Sequence, residues 1–143
     1  MSQVVVDDHL LRAALAGEGD RRLRRLVEAN EMATTNLYYV RLCKSVVAAR
    51  GGRLTGGWFD ERRRELGRRL IQLPESIRIV PMNVIGYRIA EIAQVHRVST
   101  LGAEAVAAAE QLAASLWVWD RDDGPNIREA ARSNRVPYRI VAL

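Results

Sequence analysis

Short β-rich runs alternate with longer amphipathic stretches along this chain, and that alternation constrains the fold more than any other feature. Apolar residues recur at helical spacing in the stretches between the runs. Strands that alternate with helices form βαβ units around a parallel sheet. The sequence therefore predicts an α/β protein with three layers, α/β/α, and a central parallel sheet of about five strands. The predicted strands are Val4–Val6, Met32–Thr34, residues 77–80, residues 116–119 and Tyr138–Val141.

Capping and breaking residues set the expected helix boundaries. Residues that begin helices are expected at Asp20, Thr35, Asp60 and Thr100. Residues that end helices are expected at Gly17, at the pair Gly51 and Gly52, and at Pro74. The segment between Gly52 and Asp60 is expected to be a loop.

The length and composition fit one domain over residues 1–143. Cys43 is the only cysteine, so no internal disulfide can form, and one cysteine with two histidines gives no zinc-ligand spacing. No run approaches the ~18 consecutive apolar residues of a membrane span, so we expect no membrane association. The first residues lack the pattern of a signal peptide, and the expected compartment is the cytoplasm.

Positive charge is carried almost entirely by arginine, since Lys44 is the only lysine and the net charge is +5. Arginine forks suit phosphate, so a polyanionic partner such as RNA is one interpretation. A GC-rich coding sequence would give the same arginine bias. Five arginines cluster in the predicted helix that begins at Asp60, where they form either a surface for the phosphate backbone or a solvated face with Glu–Arg pairs. They are Arg62, Arg63, Arg64, Arg68 and Arg69.

Carboxylates follow two of the predicted strands. Asp7 comes directly after the first strand and Asp120 directly after the fourth, while Glu104 lies early in the helix that leads into the fourth. Functional groups of a parallel sheet gather beyond the carboxyl ends of its strands, and grouped carboxylates suit Mg²⁺ or Mn²⁺. Asp122 follows on the same loop, whereas Asp8 is expected to point away if Asp7 points inward. The alternative is that these acids only cap helices.

Five segments, taken in order, resemble the motifs of PIN domains. Residues 4–11 (VVVDDHLL) resemble the strand that delivers the first acid, and residues 34–42 (TTNLYYVRL) resemble the second motif. Residues 101–105 (LGAEA) and 117–122 (WVWDRD) resemble the third and fourth motifs, and residues 136–141 (VPYRIV) fit the last strand. Each motif is short, but together they cover essentially the whole chain.

The resemblance implies a metal-dependent endoribonuclease that cleaves single-stranded RNA, of the type found in VapC toxins. It implies Mg²⁺ or Mn²⁺ as cofactor, a small antitoxin-like protein as partner, and a homodimer. Asp7, Glu104 and Asp120 would be the catalytic metal ligands, with Asp122 as a further ligand. RNA contacts would come from arginines, and the pocket would also include Thr35 and His9. The arginines are Arg41, Arg62, Arg63 and Arg69.

Arg41 departs from the PIN pattern, because the second motif usually carries a glutamate there. A guanidinium cannot bind a metal ion, but it can pair with Asp7 or Asp120 and replace the cation. The second hypothesis is therefore a catalytically degenerate PIN-like protein that binds nucleic acid or protein. A nucleotide-binding protein is disfavoured, since no glycine-rich phosphate loop follows the first strand.

Overall fold

The strands form one parallel sheet, as the sequence predicts. A computed structural model of the protein describes residues 2–48 and 52–143. The sheet has the order β3-β2-β1-β4-β5, and each neighbouring pair is parallel. The first strand is therefore central, with Val5 opposite Ala33 on one side and opposite Leu116 on the other. The strands are β1 (Val4–Val6), β2 (Met32–Thr34), β3 (Ile77–Ile79), β4 (Ser115–Trp119) and β5 (Tyr138–Val141).

Helices connect the strands and cover both faces of the sheet. A 3₁₀ turn, Asp120–Asp122, follows β4 directly. Gly17 ends the first helix in the left-handed conformation at φ 65°, as expected of a C-terminal glycine. The helices are α1 (Asp8–Ala16), α2 (Arg21–Glu28), α3 (Asn36–Val47), α4 (Gly52–Thr55), α5 (Asp60–Ile71), α6 (Met82–Val95), α7 (Thr100–Gln111) and α8 (Pro125–Ser133).

Two apolar clusters, one on each face, make the three layers. Alternate residues of the strands point to opposite faces, so Val5 and Leu116 belong to one cluster while Val4 and Val6 belong to the other. The first cluster packs the sheet against α6, α7 and α8, and the second packs it against α1, α2 and α5. The expected fold class, a three-layer α/β/α protein, is confirmed.

Most of the predicted boundaries agree with the structure. Strands β1, β2 and β5 have the predicted bounds, and β3 ends one residue early because Val80 leaves the ladder. The loop expected between Gly52 and Asp60 is confirmed only in part, since Gly52–Thr55 forms α4 and residues 56–59, with Gly56 and Gly57, form the loop before α5. Ser99, rather than Thr100, caps α7. The helix end expected at Gly51 lies outside the described residues.

Within residues 2–48 and 52–143, no helix combines the length and the apolar character needed to cross a bilayer.

Candidate functional site

Asp7 lies where β1 ends, and its side chain joins β1 to both α1 and the neighbouring strand β4. Its Oδ1 accepts a hydrogen bond from the backbone N–H of Leu10 at 2.9 Å, which caps α1. Its Oδ2 accepts one from the backbone N–H of Trp119 at 2.8 Å, at the end of β4. The side chain is fully buried. Asp7 therefore links the carboxyl ends of β1 and β4.

Asp8 and His9 occupy the first turn of α1, and both are buried. The Oδ1 of Asp8 accepts from the backbone N–H of His9 at 2.9 Å. His9 Nδ1 lies 2.8 Å from Asp122 Oδ2 and 3.3 Å from Asp8 Oδ1. The His9 ring also stacks on Trp119, with centroids 4.0 Å apart. These contacts fix the position of the imidazole beside two carboxylates.

Asp7, Asp8, His9 and Asp122 form a group that we call the acid cluster. One metal-ligating atom from each lies within 4.8 Å of the others, and no other group of this kind occurs in the described part of the chain. The cluster lies beyond the carboxyl ends of β1 and β4, where parallel sheets place functional groups.

Two arginines contact the acid cluster from outside. Arg53 Nη2 lies 2.8 Å from Asp122 Oδ1 and donates a hydrogen bond to it. Arg41 Nε lies 3.4 Å from Asp8 Oδ2, an ion pair without hydrogen-bond geometry. This Asp8 oxygen is buried and accepts no hydrogen bond. The Arg41 guanidinium thus pairs with Asp8, and not with Asp7 or Asp120 as the sequence predicts.

Burial and charge shift the titration of the cluster. Burial raises the pKa of Asp7 to about 7, although its two backbone donors act in the opposite direction. Burial alone lowers the pKa of His9, but its contacts with Asp122 and Asp8 outweigh this effect and raise that pKa to about 9. Burial raises the pKa of Asp122, yet His9, Arg53 and Arg41 together hold it below its usual range. His9 is therefore cationic at neutral pH.

Two of the four predicted metal ligands, Asp7 and Asp122, belong to the acid cluster. Neither Glu104 nor Asp120 belongs to the acid cluster, and Asp120 is exposed. Glu104 is fully buried and anchors α3, since it accepts hydrogen bonds from Asn36 N, Asn36 Nδ2 and Leu37 N at 2.8–3.0 Å. Asp122, the fourth predicted ligand, does take part, because the 3₁₀ turn carries its side chain back toward His9.

The prediction that the Asp8 side chain points away from Asp7 is wrong. It would hold only if the alternation of side chains in β1 continued past Val6. The structure begins α1 at Asp8, and successive helical side chains differ in direction by roughly 100° rather than 180°. Asp8 and Asp7 therefore lie in the same cluster.

Two arginines of α5 that were predicted to bind RNA donate hydrogen bonds to backbone carbonyls of the protein. Arg63 donates to the Ala48 carbonyl at 2.9 Å and pairs with Asp60, and its side chain is only 12% exposed. Arg69 donates to the Leu15 carbonyl at 2.6 Å. Both guanidinium groups thus attach α5 to neighbouring segments.

Arg62 and Thr35, which also carried predicted roles, have local partners. The Arg62 guanidinium stacks on the Trp58 ring at 3.7 Å and leaves half of its side chain exposed. The Thr35 hydroxyl accepts from the backbone N–H of Tyr38 at 3.1 Å and caps α3, and the residue is buried. Arg62 therefore keeps exposed surface, whereas Thr35 has a capping role.

Two cavities flank the acid cluster and share Arg41. One, of about 260 Å³, is lined by residues that include Tyr38, Arg97 and Asp122. The other, of about 230 Å³, lies between α3 and α4, and its lining includes Lys44 and Arg53. Because arginine and lysine supply the charged donors in both, the rim of this edge of the sheet suits an anion.

Sequence reasoning did not single out Arg53, Arg97 or Lys44 as site residues. A signal existed for Lys44, which lies three residues after Arg41 and so on the same face of α3. Arg53 gave no signal, because its place depends on α4, which was expected to be a loop.

The fold and the site define an α/β protein with a charge-compensated acid cluster at the carboxyl edge of a parallel sheet. No protein-family model matches the chain, and neither does any curated protein.

Proposed function

We propose that the chain is a PIN-like nucleic-acid-binding module in which protein cations stand where a catalytic metal ion would be expected. The observation that carries this proposal is the ring of cations at the acid cluster. Arg41 pairs with Asp8, while His9 and Arg53 both pair with Asp122. This arrangement corresponds to the second hypothesis from the sequence.

Charge balance supports a site without a catalytic metal. Asp7, Asp8 and Asp122 are the carboxylates of the cluster, and protonated His9 with Arg41 and Arg53 supplies an equal number of positive charges. The pKa of Asp7 near 7 lowers the negative charge further. Divalent ions bind most strongly where carboxylate charge is uncompensated. An incoming ion would have to displace groups that already neutralise the acids.

A polyanion is the ligand class that fits the rim. Arg41, Lys44, Arg53 and Arg97 line the two cavities, and the whole chain carries a net charge of +5. Contacts of this kind recognise the phosphate backbone rather than the base sequence. RNA is therefore the proposed partner, as in the sequence-based hypothesis.

The test measures binding and cleavage on the same samples. We expect a labelled single-stranded RNA to bind with an affinity that falls as salt rises, and to stay intact after incubation with Mn²⁺. Arg97→Gln should weaken binding. Arg132→Gln, which removes an equal charge from a residue that lines neither cavity, should not. Equal losses in the two variants, or no binding at all, would contradict the proposal.

A metal-dependent endoribonuclease is the second candidate function, and one buried oxygen of Asp8 supports it. Asp8 Oδ2 is a buried carboxylate oxygen with no hydrogen-bond donor, as expected of an oxygen that awaits a cation. Asp7, Asp8 and Asp122 would hold the ion. Bound Mg²⁺ or Mn²⁺ would supply an activated water for phosphodiester hydrolysis.

Mn²⁺ separates the two candidates in a thermal melt. The binding module predicts no metal-dependent rise in Tm, whereas the nuclease predicts a rise by mass action that is lost in Asp8→Asn. RNA cleavage that needs Mn²⁺ and is lost in the same variant would establish the second candidate. The antitoxin-like partner, the homodimer and the cytoplasmic location stay predictions from the sequence.

A further inference from the structure

The cavity of about 230 Å³ between α3 and α4 has an unusually basic lining. Arg41 and Lys44 reach it from α3, and Arg53 reaches it from α4. The remaining lining residues within the described part of the chain are Ser45, Gly52 and Leu54, so no carboxylate lies among them. A small space bordered by three cations favours an anion.

Two of these cations are held by the acid cluster behind them. Asp122 Oδ1 accepts from Arg53 Nη2 at 2.8 Å, which leaves the other nitrogens of that guanidinium for a second partner. Asp8, which is fully buried, lies with Oδ2 3.4 Å from Arg41 Nε. A side chain held in this way loses less conformational entropy when it binds a ligand. The acid cluster thus orients the arginines toward the cavity.

We propose that this cavity, lined by Arg41, Lys44 and Arg53, is a binding site for a single phosphate group. Arginine forks match the oxygens of both phosphate and carboxylate. Arg41 and Arg53 each have nitrogens beyond the one that contacts the acid cluster, and Lys44 adds a further positive charge. This combination favours phosphate, because a monoester has three acceptor oxygens and a charge of about −1.5 to −2 at neutral pH. Phosphate binding in this cavity does not depend on the proposed function, but the identity of the molecule that carries the phosphate does. That molecule is a nucleic-acid strand, bound through either its terminal monoester or an internal diester.

The first experiment uses inorganic phosphate and the full chain. Phosphate should shift the side-chain Nε–Hε NMR signals of Arg41 and Arg53 in a saturable way and raise Tm. Arg53→Gln should abolish the saturable shift at Arg41 and the phosphate-dependent part of the Tm rise. Arg132→Gln controls for the general stabilisation that phosphate gives as a salt. Lys44→Gln, a change at an exposed position of α3, tests the same site if Arg53→Gln does not fold.

The second experiment compares RNAs of one sequence with a 5′-phosphate and with a 5′-hydroxyl. If the cavity takes the terminal group, only the phosphorylated RNA should lose affinity in Arg53→Gln. If it takes an internal diester, both RNAs should lose affinity, and the slope of log K against log salt should fall by about 0.7.

The outcomes distinguish this site from the proposed function. No saturable phosphate shift, or an equal shift in Arg53→Gln, overturns the site even if RNA binds elsewhere. A phosphate shift without RNA binding supports the site and overturns the nucleic-acid function. If Arg53→Gln and Arg132→Gln weaken phosphate binding and RNA binding equally, net charge alone explains the effect, and the proposed site is wrong.

Discussion

Glu104→Gln tests whether this buried acid stabilises the fold or waits for a metal ion. The two carboxylate oxygens accept three hydrogen bonds from the first residues of α3, at 2.8 Å and 3.0 Å from Asn36 and 2.9 Å from Leu37. Glutamine has nearly the same shape but only one acceptor oxygen. Its amide N–H groups would therefore face at least one N–H donor of α3 in a site with no exposed surface.

The expected cost follows from those contacts. One buried N–H left without an acceptor costs about 1–3 kcal/mol. The bonds that remain change from charge-assisted to neutral, at about 1 kcal/mol each. The negative charge near the N-terminus of α3 is lost as well, which adds up to ~1 kcal/mol. We expect the free energy of unfolding to fall by about 3–6 kcal/mol, which corresponds to a Tm lower by roughly 10–25 °C.

Urea unfolding followed by circular dichroism, in EDTA, measures this difference. Glu110→Gln is the matched control, because it makes the same change on the same helix at an exposed residue that pairs with Arg88. It should cost less than about 1 kcal/mol. A metal ligand without its ion would behave in the opposite way, since removing its charge relieves repulsion. A Glu104→Gln protein as stable as the wild type in EDTA would therefore refute the anchoring role.

Three further predictions concern the acid cluster and the helices. Arg41→Glu adds a carboxylate beside Asp8, so Tm should fall in EDTA and rise with Mn²⁺; an unchanged melt with Mn²⁺ would count against the cation-replacement argument. An NMR titration should give His9 a pKa near 9, which lies above the value of about 6.5 in the unfolded chain. Protonated His9 therefore contributes up to about 3 kcal/mol to the free energy of unfolding below pH 6.5, and this contribution is lost as the pH rises through 9. If urea unfolding gives the same difference between wild type and His9→Gln at pH 6 and at pH 10, the argument is wrong. Gly86→Ala should raise the free energy of unfolding in urea by about 0.5–1 kcal/mol, because alanine favours the helix and its Cβ meets no atom within 4 Å. Gly102→Ala should lower it by about 1–3 kcal/mol, because the new Cβ would lie 2.5 Å from Val98 Cγ2.

The sequence predicts the sheet well because strand signals are local. A run such as Val4–Val6 has no polar side chain and is buried on both faces, so its residue types alone indicate a central strand. The position of Asp7 follows from the strand end, which the structure confirms. Helix α4 could not be predicted, since four residues that include Gly52 and Arg53 give no periodic pattern.

The membership of the acid cluster depends on turns, and this part was harder to predict. The sequence predicts both Asp120 and Asp122 as metal ligands and gives Asp120 the catalytic role because it follows the strand directly. The 3₁₀ turn instead leaves Asp120 exposed and brings Asp122 to His9. Glu104 was placed at the correct edge of the sheet, yet its hydrogen-bond partners depend on how α3 packs against α7. Such choices rest on contacts between residues more than 60 positions apart, which local patterns do not contain.

The central place of β1 in the sheet has a consequence for synthesis on the ribosome. Val4–Val6 is made before the other four strands, and its β2 neighbour follows within thirty residues, but its other neighbour begins only at Ser115. Until then one edge of the most apolar strand has no partner, and an unpaired edge of this kind invites pairing with other chains. His9 likewise waits for Asp122, so the nascent chain holds the acids of α1 without the turn that completes the cluster. The protein therefore gains its charged site and closes its vulnerable sheet edge in the same late step.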